Sequence, residues 1–133
     1  MTVIVCLDSR GGMLFNNRRQ TLDYEIVDMI VNAAKDKLYI SPFSEKYFSG
    51  KVSKVVDDPL KDAPDDAYVF IEDRQVTAAL DRIDKLLIYR WAAHYPTDTV
   101  FELDPIKAGF RLVGKIKFST KVHPDTIKEI YKK

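Results

Sequence analysis

The chain has 133 residues, of which 46% are hydrophobic, and its 21 Lys and Arg nearly balance 20 Asp and Glu, giving a net charge of +1. Its length fits one domain, residues 1–133, and its composition excludes a disordered chain. The near-zero charge gives no indication of nucleic acid as a partner. No apolar stretch approaches about 18 residues and no charged leader precedes the first one, so we expect a cytoplasmic protein that contacts no membrane.

Thr2–Leu7 (TVIVCL) predicts a strand that is covered on both faces. The glycines of Asp8–Gly12 predict a tight loop that continues to Gln20, whose apolar trio Met13–Phe15 either folds onto the core or lines a pocket. Thr21–Ala34 predicts a helix capped by Thr21, with an apolar face formed by Leu22, Ile26, Met29, Ile30 and Ala33.

Shorter elements follow this helix. Lys37–Ser41 predicts a second strand, and Phe43–Ser49 predicts a short helix that ends at Gly50. Lys51–Val56 predicts a strand near the sheet edge, where lysines hinder pairing with other chains. Asp57–Asp66 contains five aspartates and two prolines and predicts a surface loop.

The centre of the chain predicts a β-α-β unit with a right-handed crossover. Its parts are a buried strand at Ala67–Ile71, an amphipathic helix at Gln75–Ile83 and a second buried strand at Lys85–Trp91. Ligands of open α/β sheets bind beyond the carboxyl ends of such strands, which indicates Glu72–Arg74 and the region of Trp91. The alternative for Trp91 is that it fills the core.

After Ala92–Asp98 the chain runs into Thr99–Leu103 and turns at Asp104-Pro105. Phe110–Ser119 predicts a long alternating strand. Thr126–Tyr131 fits helix or strand by propensity, and we favour a strand paired antiparallel with Phe110–Ser119. The predicted fold is α/β with three layers, in which flanking helices cover a central, mostly parallel mixed sheet that ends in a C-terminal antiparallel hairpin.

Two other kinds of residue bear on chemistry. Cys6 is the only cysteine, which excludes an intrachain disulfide, and its apolar surroundings predict a reduced, buried thiol. His94 and His123 are the only histidines and have no partner at metal-binding spacing, so no metal site is predicted. His94 and Asp98 form one hypothetical acid–base pair, with an ordinary loop histidine as the alternative.

In order and spacing, these elements resemble the dihydrofolate reductase family over nearly the whole chain. TVIVCLDSRGGMLFNN is similar to that family's first strand, aspartate turn and substrate-closing loop. LLIYRW and YPTDTVFELD look like its late strand and aspartate-threonine segment, and FRLVGKIKFS with TIKEIYKK looks like its closing hairpin. The resemblance implies the fold named above, a carboxylate that binds a pterin, and a site for NADPH.

The carboxylate implied by the resemblance falls near the start of the first helix. Asp23 or Glu25 lies there, and Asp23 is the candidate catalytic residue. The alternative is that both are acids favoured by the helix dipole. The proline and tryptophan that precede this carboxylate in the family are replaced by Arg18-Arg19-Gln20.

Both phosphate-binding segments that the resemblance implies are altered. The family's glycine pair after the strand equivalent to Ala67–Ile71 is replaced by Glu72-Asp73-Arg74, and its glycine-arginine-threonine turn is replaced by Ser41–Ser44. A like-charge contact at roughly 4 Å costs about 1–4 kcal/mol. We therefore expect no cofactor, with NADPH bound only if the altered site still accepts it, and no hydride transfer.

The predicted ligand site is a mouth at this end of the sheet. Arg18 and Arg19 can bind an anionic or planar ligand beside Phe15, the alternative being solvated arginines or ion pairs to Asp23 and Glu25. The complete predicted site consists of Phe15, Asn17, Arg18, Arg19, Asp23, Glu25, Glu72, Asp73, Arg74 and Trp91.

Three hypotheses of function follow. The first is a small-ligand-binding or accessory protein, acting as a monomer or homodimer on an unidentified small molecule or protein partner. The second is a divergent reductase that acts on a pterin or a related heterocycle. The third is a protein-interaction module whose contact surfaces are Asp57–Asp66 and Trp91–Asp98.

Overall fold

The structure is a computed structural model that describes all residues from Met1 to Lys133. Its strands are β1 (Thr2–Leu7), β2 (Gly12–Phe15), β3 (Arg18–Arg19), β4 (Leu38–Ile40), β5 (Lys54–Val55), β6 (Tyr68–Phe70), β7 (Lys85–Trp91), β8 (Thr99–Val100), β9 (Arg111–Phe118) and β10 (Thr126–Lys132). Its α-helices are α1 (Tyr24–Ala34) and the single turn α2 (Pro59–Asp62), and 3₁₀-helices lie at Pro42–Ser44 and Thr77–Arg82.

Seven strands form one mixed sheet in the order β5-β4-β6-β1-β7-β10-β9. The first five strands are parallel, and β10 runs antiparallel to both β7 and β9. The α/β class, the mostly parallel mixed sheet and the C-terminal hairpin are therefore confirmed, and the ambiguous Thr126–Tyr131 segment is a strand. A second, smaller sheet has the order β3-β2-β8.

The main sheet is packed on both faces, as the apolar sequence of β1 predicted. Val3 and Val5 point into one hydrophobic cluster, while Ile4 points into the other, because side chains alternate along a strand. The cluster around Ile4 is closed by α1 and by Tyr47 and Phe48. These two aromatic residues follow the 3₁₀-helix at Pro42–Ser44, which replaces the predicted Phe43–Ser49 helix.

The predicted loop after β1 instead contains the hairpin β2–β3. Its turn residues Asn16 and Asn17 have φ of 52° and 58°, a conformation that asparagine tolerates and that tight two-residue hairpins require. Met13 and Leu14 are buried in the core, so most of the apolar trio folds back. Phe15 remains half-buried at the end of β2.

Helix α1 begins three residues later than predicted, and Asp23 rather than Thr21 caps it. Asp23 Oδ1 accepts from the Ile26 backbone N–H at 3.2 Å. Three residues of the predicted apolar face are exposed. Leu22 precedes the helix and is 47% exposed, Met29 is 36% exposed, and Ala33 is also exposed. The buried residues of α1 are Ile26, Val27, Ile30 and Ala34.

The α-helix predicted at Gln75–Ile83 is wrong, since this crossover is the 3₁₀-helix Thr77–Arg82. Only its flanking residues Val76 and Ile83 are fully buried. A 3₁₀-helix rises about 2.0 Å per residue against about 1.5 Å for an α-helix, so it spans the distance between two buried anchors with fewer residues.

Two further predictions are corrected in detail. The predicted loop Asp57–Asp66 contains α2, whose Leu60 is buried. The predicted strand Lys51–Val56 shrinks to β5, but its place at the sheet edge is confirmed. None of the helices has the length and apolar character needed to cross a membrane.

Candidate ligand site

Asp8 joins the segments that surround the carboxyl end of β1. Its Oδ1 accepts from the backbone N–H groups of Gly12 at 2.8 Å and Arg10 at 2.9 Å. Its Oδ2 accepts from the N–H of Tyr95 at 3.1 Å and from Gln20 Nε2 at 3.2 Å. Burial opposes ionisation, but these donors outweigh it and lower the pKa of Asp8. The charged carboxylate thus fixes the β1–β2 loop against the segment after β7.

Arg19 and Glu72, two of the predicted site residues, form a paired group at the carboxyl ends of β3 and β6. Arg19 donates from Nε and Nη2 to the two carboxylate oxygens of Glu72 at 2.6 and 2.5 Å. Ser44 Oγ donates a third hydrogen bond to Glu72 at 2.5 Å. Both carboxylate oxygens of Glu72 are therefore occupied by groups of this chain.

The Arg19 guanidinium also lies over the ring of Tyr47, with Cζ 4.2 Å from the ring centroid. Burial disfavours its charge, but the bonds to Glu72 outweigh burial and raise the pKa of Arg19. The ion pair closes the space above Cys6 to an inner cavity of only about 10 Å³, whose walls also include Gln20 and Trp91. Small-molecule sites measure about 300–1,000 Å³, so this cavity holds no such ligand as it stands.

Two buried polar atoms at the inner cavity lack a hydrogen-bond partner, Gln20 Oε1 and Trp91 Nε1. One is an acceptor and the other a donor. Cys6 lies on the same wall as a partly buried free thiol. Burial, and then the charges of Glu72 and Asp23, raise the pKa of Cys6, which disfavours the reactive thiolate.

Asp23, the candidate catalytic residue, is fully buried and engaged by neighbours within the chain. Its Oδ2 accepts from Thr120 Oγ1 at 2.6 Å and contacts His123 Nδ1 at 2.7 Å. We assign the proton of this contact to Nδ1, which leaves His123 Nε2 to accept from the Tyr95 hydroxyl at 2.8 Å. The carboxylate thus begins a chain of hydrogen bonds, which we call the Asp23–His123–Tyr95 chain.

Trp91 completes this buried cluster by stacking on His123. The ring centroids are 4.3 Å apart and the planes differ by 8°. The functional histidine candidate is therefore His123, whereas the hypothetical pair of His94 and Asp98 does not form. His94 is exposed, and Asp98 accepts from the Asn16 backbone N–H and the Thr99 hydroxyl.

The open part of the predicted mouth is a groove of about 330 Å³. We call it the outer groove, and its walls are Phe15, Asn16, Arg18, Arg19, Gln20, Tyr95 and Pro96. Arg18 is exposed and makes no ion pair, so its guanidinium is free to bind an anion. The structure therefore brings together three of the predicted site residues, Phe15, Arg18 and Arg19, on one groove.

Four predicted site residues lie elsewhere. Asn17 is an exposed hairpin-turn residue, and Glu25 accepts from the backbone N–H of Lys121 at 2.6 Å. Asp73 and Arg74 pair with each other at 3.0 Å, and Arg74 also reaches Asp58 at 3.6 Å. These contacts direct Asp73 and Arg74 toward the Asp57–Asp66 segment and away from the outer groove.

A cavity of about 560 Å³ lies at the end of the C-terminal hairpin. We call it the hairpin cavity, and its walls include Arg90, Trp91, Lys117, Phe118, Pro124 and Ile127. Ile127 pairs in register with both Arg90 and Lys117, so the two cations lie on either side of it on one face of the sheet. No group of His, Cys, Asp and Glu in the chain is arranged to hold a metal ion.

Comparison with models of known protein families and with curated protein sequences finds no match. Among solved structures, dihydrofolate reductase from Enterococcus faecalis, solved with NADP(H) and RAB-propyl, aligns with a TM-score of 0.68. The alignment covers 99% of this chain and 95% of that chain, at 10% sequence identity. The fold is dihydrofolate reductase-like. This confirms the resemblance of the sequence at the level of fold.

The dihydrofolate reductase-like fold raises the question of whether these residues fit NADPH. At the turn after β6, Glu72 is buried against Arg19 and Ser44, and Asp73 is held by Arg74 and Ser41. Each carries negative charge and a Cβ at the turn where the family resemblance would place a pyrophosphate. The segment that follows is a six-residue 3₁₀-helix rather than an α-helix. These residues do not fit a pyrophosphate.

Sequence reasoning missed the residues that complete these networks, namely Asp8, Gln20, Ser44, Tyr47, Tyr95, Thr120 and His123. Asp8 carried a usable signal, since an aspartate at the start of a turn often accepts a hydrogen bond from the backbone N–H two residues later, here that of Arg10. His123 lies a hundred residues from Asp23 along the chain. No local pattern connects residues at that separation.

Proposed function

We propose that this chain binds a small anionic ligand on a dihydrofolate reductase-like fold without transferring hydride. The observation that carries the proposal is the Arg19–Glu72 ion pair. It fills the space above Cys6 and leaves about 10 Å³ there. A planar heterocycle can enter the inner cavity only if Arg19 and Glu72 move apart.

The state of Asp23 supports the same proposal. A carboxylate that binds a pterin has to present free oxygen atoms to it. Here Oδ1 caps α1, and Oδ2 is shared between Thr120 and His123. Releasing these bonds would uncap the helix and leave buried donors unpaired, at a cost of about 1–3 kcal/mol for each unpaired group.

The outer groove is where we place the ligand. Arg18 supplies an unpaired guanidinium, Phe15 an aromatic face and Asn16 an amide. A volume of about 330 Å³ lies at the lower end of the range for small-molecule sites. An anion with a planar portion matches this combination of charge and aromatic surface.

A thermal-shift screen with NADPH, NADP, folates, flavins and nucleotides tests the proposal. A ligand present at a hundredfold its dissociation constant stabilises the folded state by about 2.7 kcal/mol. We expect an anionic ligand of this set other than NADPH and NADP to raise the melting temperature, and Arg18→Glu to remove that shift. A clear shift with NADPH would overturn the proposal. Arg10→Glu is the matched control, because Arg10 is an exposed arginine outside the groove.

The rival function, a divergent reductase acting on a pterin or related heterocycle, predicts a different result. It requires loss of NADPH absorbance at 340 nm with a pterin substrate, and loss of that activity in Asp23→Asn. We expect no absorbance change above the rate without protein. A pterin-dependent rate that disappears in Asp23→Asn would overturn the proposal.

A further inference from the structure

The outer edge of β9 is the longest unpaired strand edge in the molecule. Strand β9 ends the main sheet and pairs only with β10, while β5 at the opposite edge has two residues. A register shift opposite Ile130/Tyr131 interrupts the β9–β10 ladder, which is regular over Gly114–Phe118. These five residues offer a template of free backbone N–H and C=O groups of ordinary strand length.

Both faces of this edge are accessible. No residue of β9 is buried, and Leu112, Val113 and Ile116 are 43%, 47% and 51% exposed. Soluble proteins often shorten or cover such an edge, because an exposed apolar strand pairs with other chains. Here the edge is open and apolar, and charged residues are interspersed along it.

The charged residues along β9 itself are all cations. The segment 105–124 contains five cations and no Asp or Glu in a chain whose net charge is only +1, and the cations are Lys107, Arg111, Lys115, Lys117 and Lys121. None of these side chains makes an ion pair with another residue of the chain. The rest of the chain is therefore net negative, and this edge is a cationic patch on it.

The positive charge of β9 disfavours pairing with a second copy of this chain and favours pairing with an acidic strand. An antiparallel pairing of two copies centred on Lys115 sets that lysine opposite its own copy, and one centred on Ile116 sets Lys115 opposite Lys117. Like charges directly opposite each other destabilise a sheet. An acidic strand instead gains a favourable cross-strand pair at each of these positions.

The hairpin cavity gives the occupant a second contact. Its wall includes Lys117 and Phe118 at the end of the regular ladder, and it continues across Ile127 to Arg90. If the partner strand runs parallel to β9, the residue that follows its paired segment lies beside this opening at the Phe118 end. Apolar walls of Trp91, Phe118 and Pro124 favour an aromatic side chain there.

We propose that Gly114–Phe118 adds, parallel to β9, a strand from another protein, an extended acidic segment followed by an aromatic residue. Main-chain hydrogen bonds to the free edge hold the segment, the lysines select its charge, and the hairpin cavity receives the aromatic side chain. This surface is separate from the outer groove, so it adds a protein partner to the proposed ligand binding.

Fluorescence anisotropy with the full chain and the labelled peptide EVEVEGW tests this inference. We expect binding that weakens with added salt, and NMR amide shifts centred on Gly114–Phe118. The peptide EVEPEGW keeps the charge but cannot extend as a strand, and we expect it to bind at least about tenfold more weakly, the equivalent of one or two lost hydrogen bonds. The peptide EVEVEGS, which lacks the aromatic residue, should also bind more weakly.

Matched variants locate the site. Lys115→Glu combined with Lys117→Glu should abolish binding, whereas Lys46→Glu combined with Lys54→Glu changes the same charge far from β9 and should not. The side chains are exposed, and a thermal melt checks that each variant folds. Retained binding in Arg18→Glu separates this surface from the outer groove.

Four results overturn the inference. The first is that EVEVEGW does not bind at millimolar protein. The second is equal binding of the proline peptide, which indicates charge attraction alone. The third is tighter binding of a single-stranded oligo-dT that displaces the peptide, which indicates a nucleic-acid surface, and the fourth is a dimer by light scattering that dissociates when peptide is added, which indicates a second copy of this chain as the natural occupant.

Discussion

Arg19 donates from Nε and Nη2 to the two carboxylate oxygens of Glu72, and its guanidinium lies 4.2 Å above the ring of Tyr47. The side chains of the pair are only 20% and 7% exposed. Breaking a buried ion pair by removing one partner leaves an uncompensated charge. Removing either member of the pair that closes the inner cavity should therefore destabilise the fold.

Arg19→Met should lower the free energy of unfolding by about 3 kcal/mol, because Glu72 is left buried with only Ser44 as a donor. Arg19→Met combined with Glu72→Gln should recover part of this loss, since no charge is then unpaired. Urea unfolding followed by circular dichroism measures both values. Arg18→Met, at the exposed neighbouring position, is the control and should change stability by less than about 0.5 kcal/mol.

The Asp23–His123 contact should show a measurable coupling energy. We expect Asp23→Asn and His123→Gln each to destabilise the fold, and the double-mutant cycle to give an interaction of about 1–2 kcal/mol, as for buried residues in one hydrogen-bond network. The matched cycle of Asp23→Asn with His94→Gln should give a coupling near zero, because His94 is exposed. Additive effects of Asp23→Asn and His123→Gln in urea unfolding would contradict the network.

How much of the fold could be predicted from the sequence depends on whether a feature is set by residues near each other in the chain or by distant ones. Apolar runs such as Thr2–Leu7 and Lys85–Trp91 have a local signal, and both strands lie where they were predicted. The α-helix predicted at Gln75–Ile83 is wrong because the same apolar spacing also fits a 3₁₀-helix that is flanked by two buried residues. The local apolar pattern therefore predicted the strands of the sheet correctly but not the type of helix that connects two of them.

In the candidate site, too, contacts between residues near in sequence were predictable and contacts between distant residues were not. Placing Arg18, Arg19 and Phe15 together needed only the short hairpin that carries them. The alternative interpretation paired the arginines with Asp23 and Glu25, which are near in sequence, whereas the partner of Arg19 is Glu72. Contacts between residues on different strands depend on the topology of the sheet, which spacing along the chain does not encode.

Asp8 should make stability depend on pH in acid. Burial opposes its ionisation, but the N–H groups of Gly12, Tyr95 and Arg10 outweigh burial and lower its pKa in the folded state. Because the folded pKa lies below the unfolded value of about 3.9, the stabilisation is full above that pH and is lost as pH falls through the folded pKa. We expect Asp8→Asn to destabilise the protein at pH 7, and the difference from the parent chain to shrink below about pH 4.

The control for this titration is Asp36→Asn, at an exposed position after α1. Urea midpoints of the three proteins between about pH 2 and pH 7 are the measurement. The difference between Asp8→Asn and the parent chain should vary with pH, whereas that for Asp36→Asn should stay small throughout. A pH-independent loss of stability in Asp8→Asn would mean that the geometry of the loop matters and the charge of Asp8 does not.

The lysines of β9 should keep the chain from pairing with itself. Lys115 and Lys117 lie on one face of the unpaired edge, where like charges oppose a second copy. We expect the parent chain to be a monomer by light scattering, and Lys115→Val combined with Lys117→Val to associate as concentration rises. Lys107→Val combined with Lys121→Val removes equal charge outside the strand and should stay monomeric, so association of both variants would attribute the effect to net charge and not to the edge.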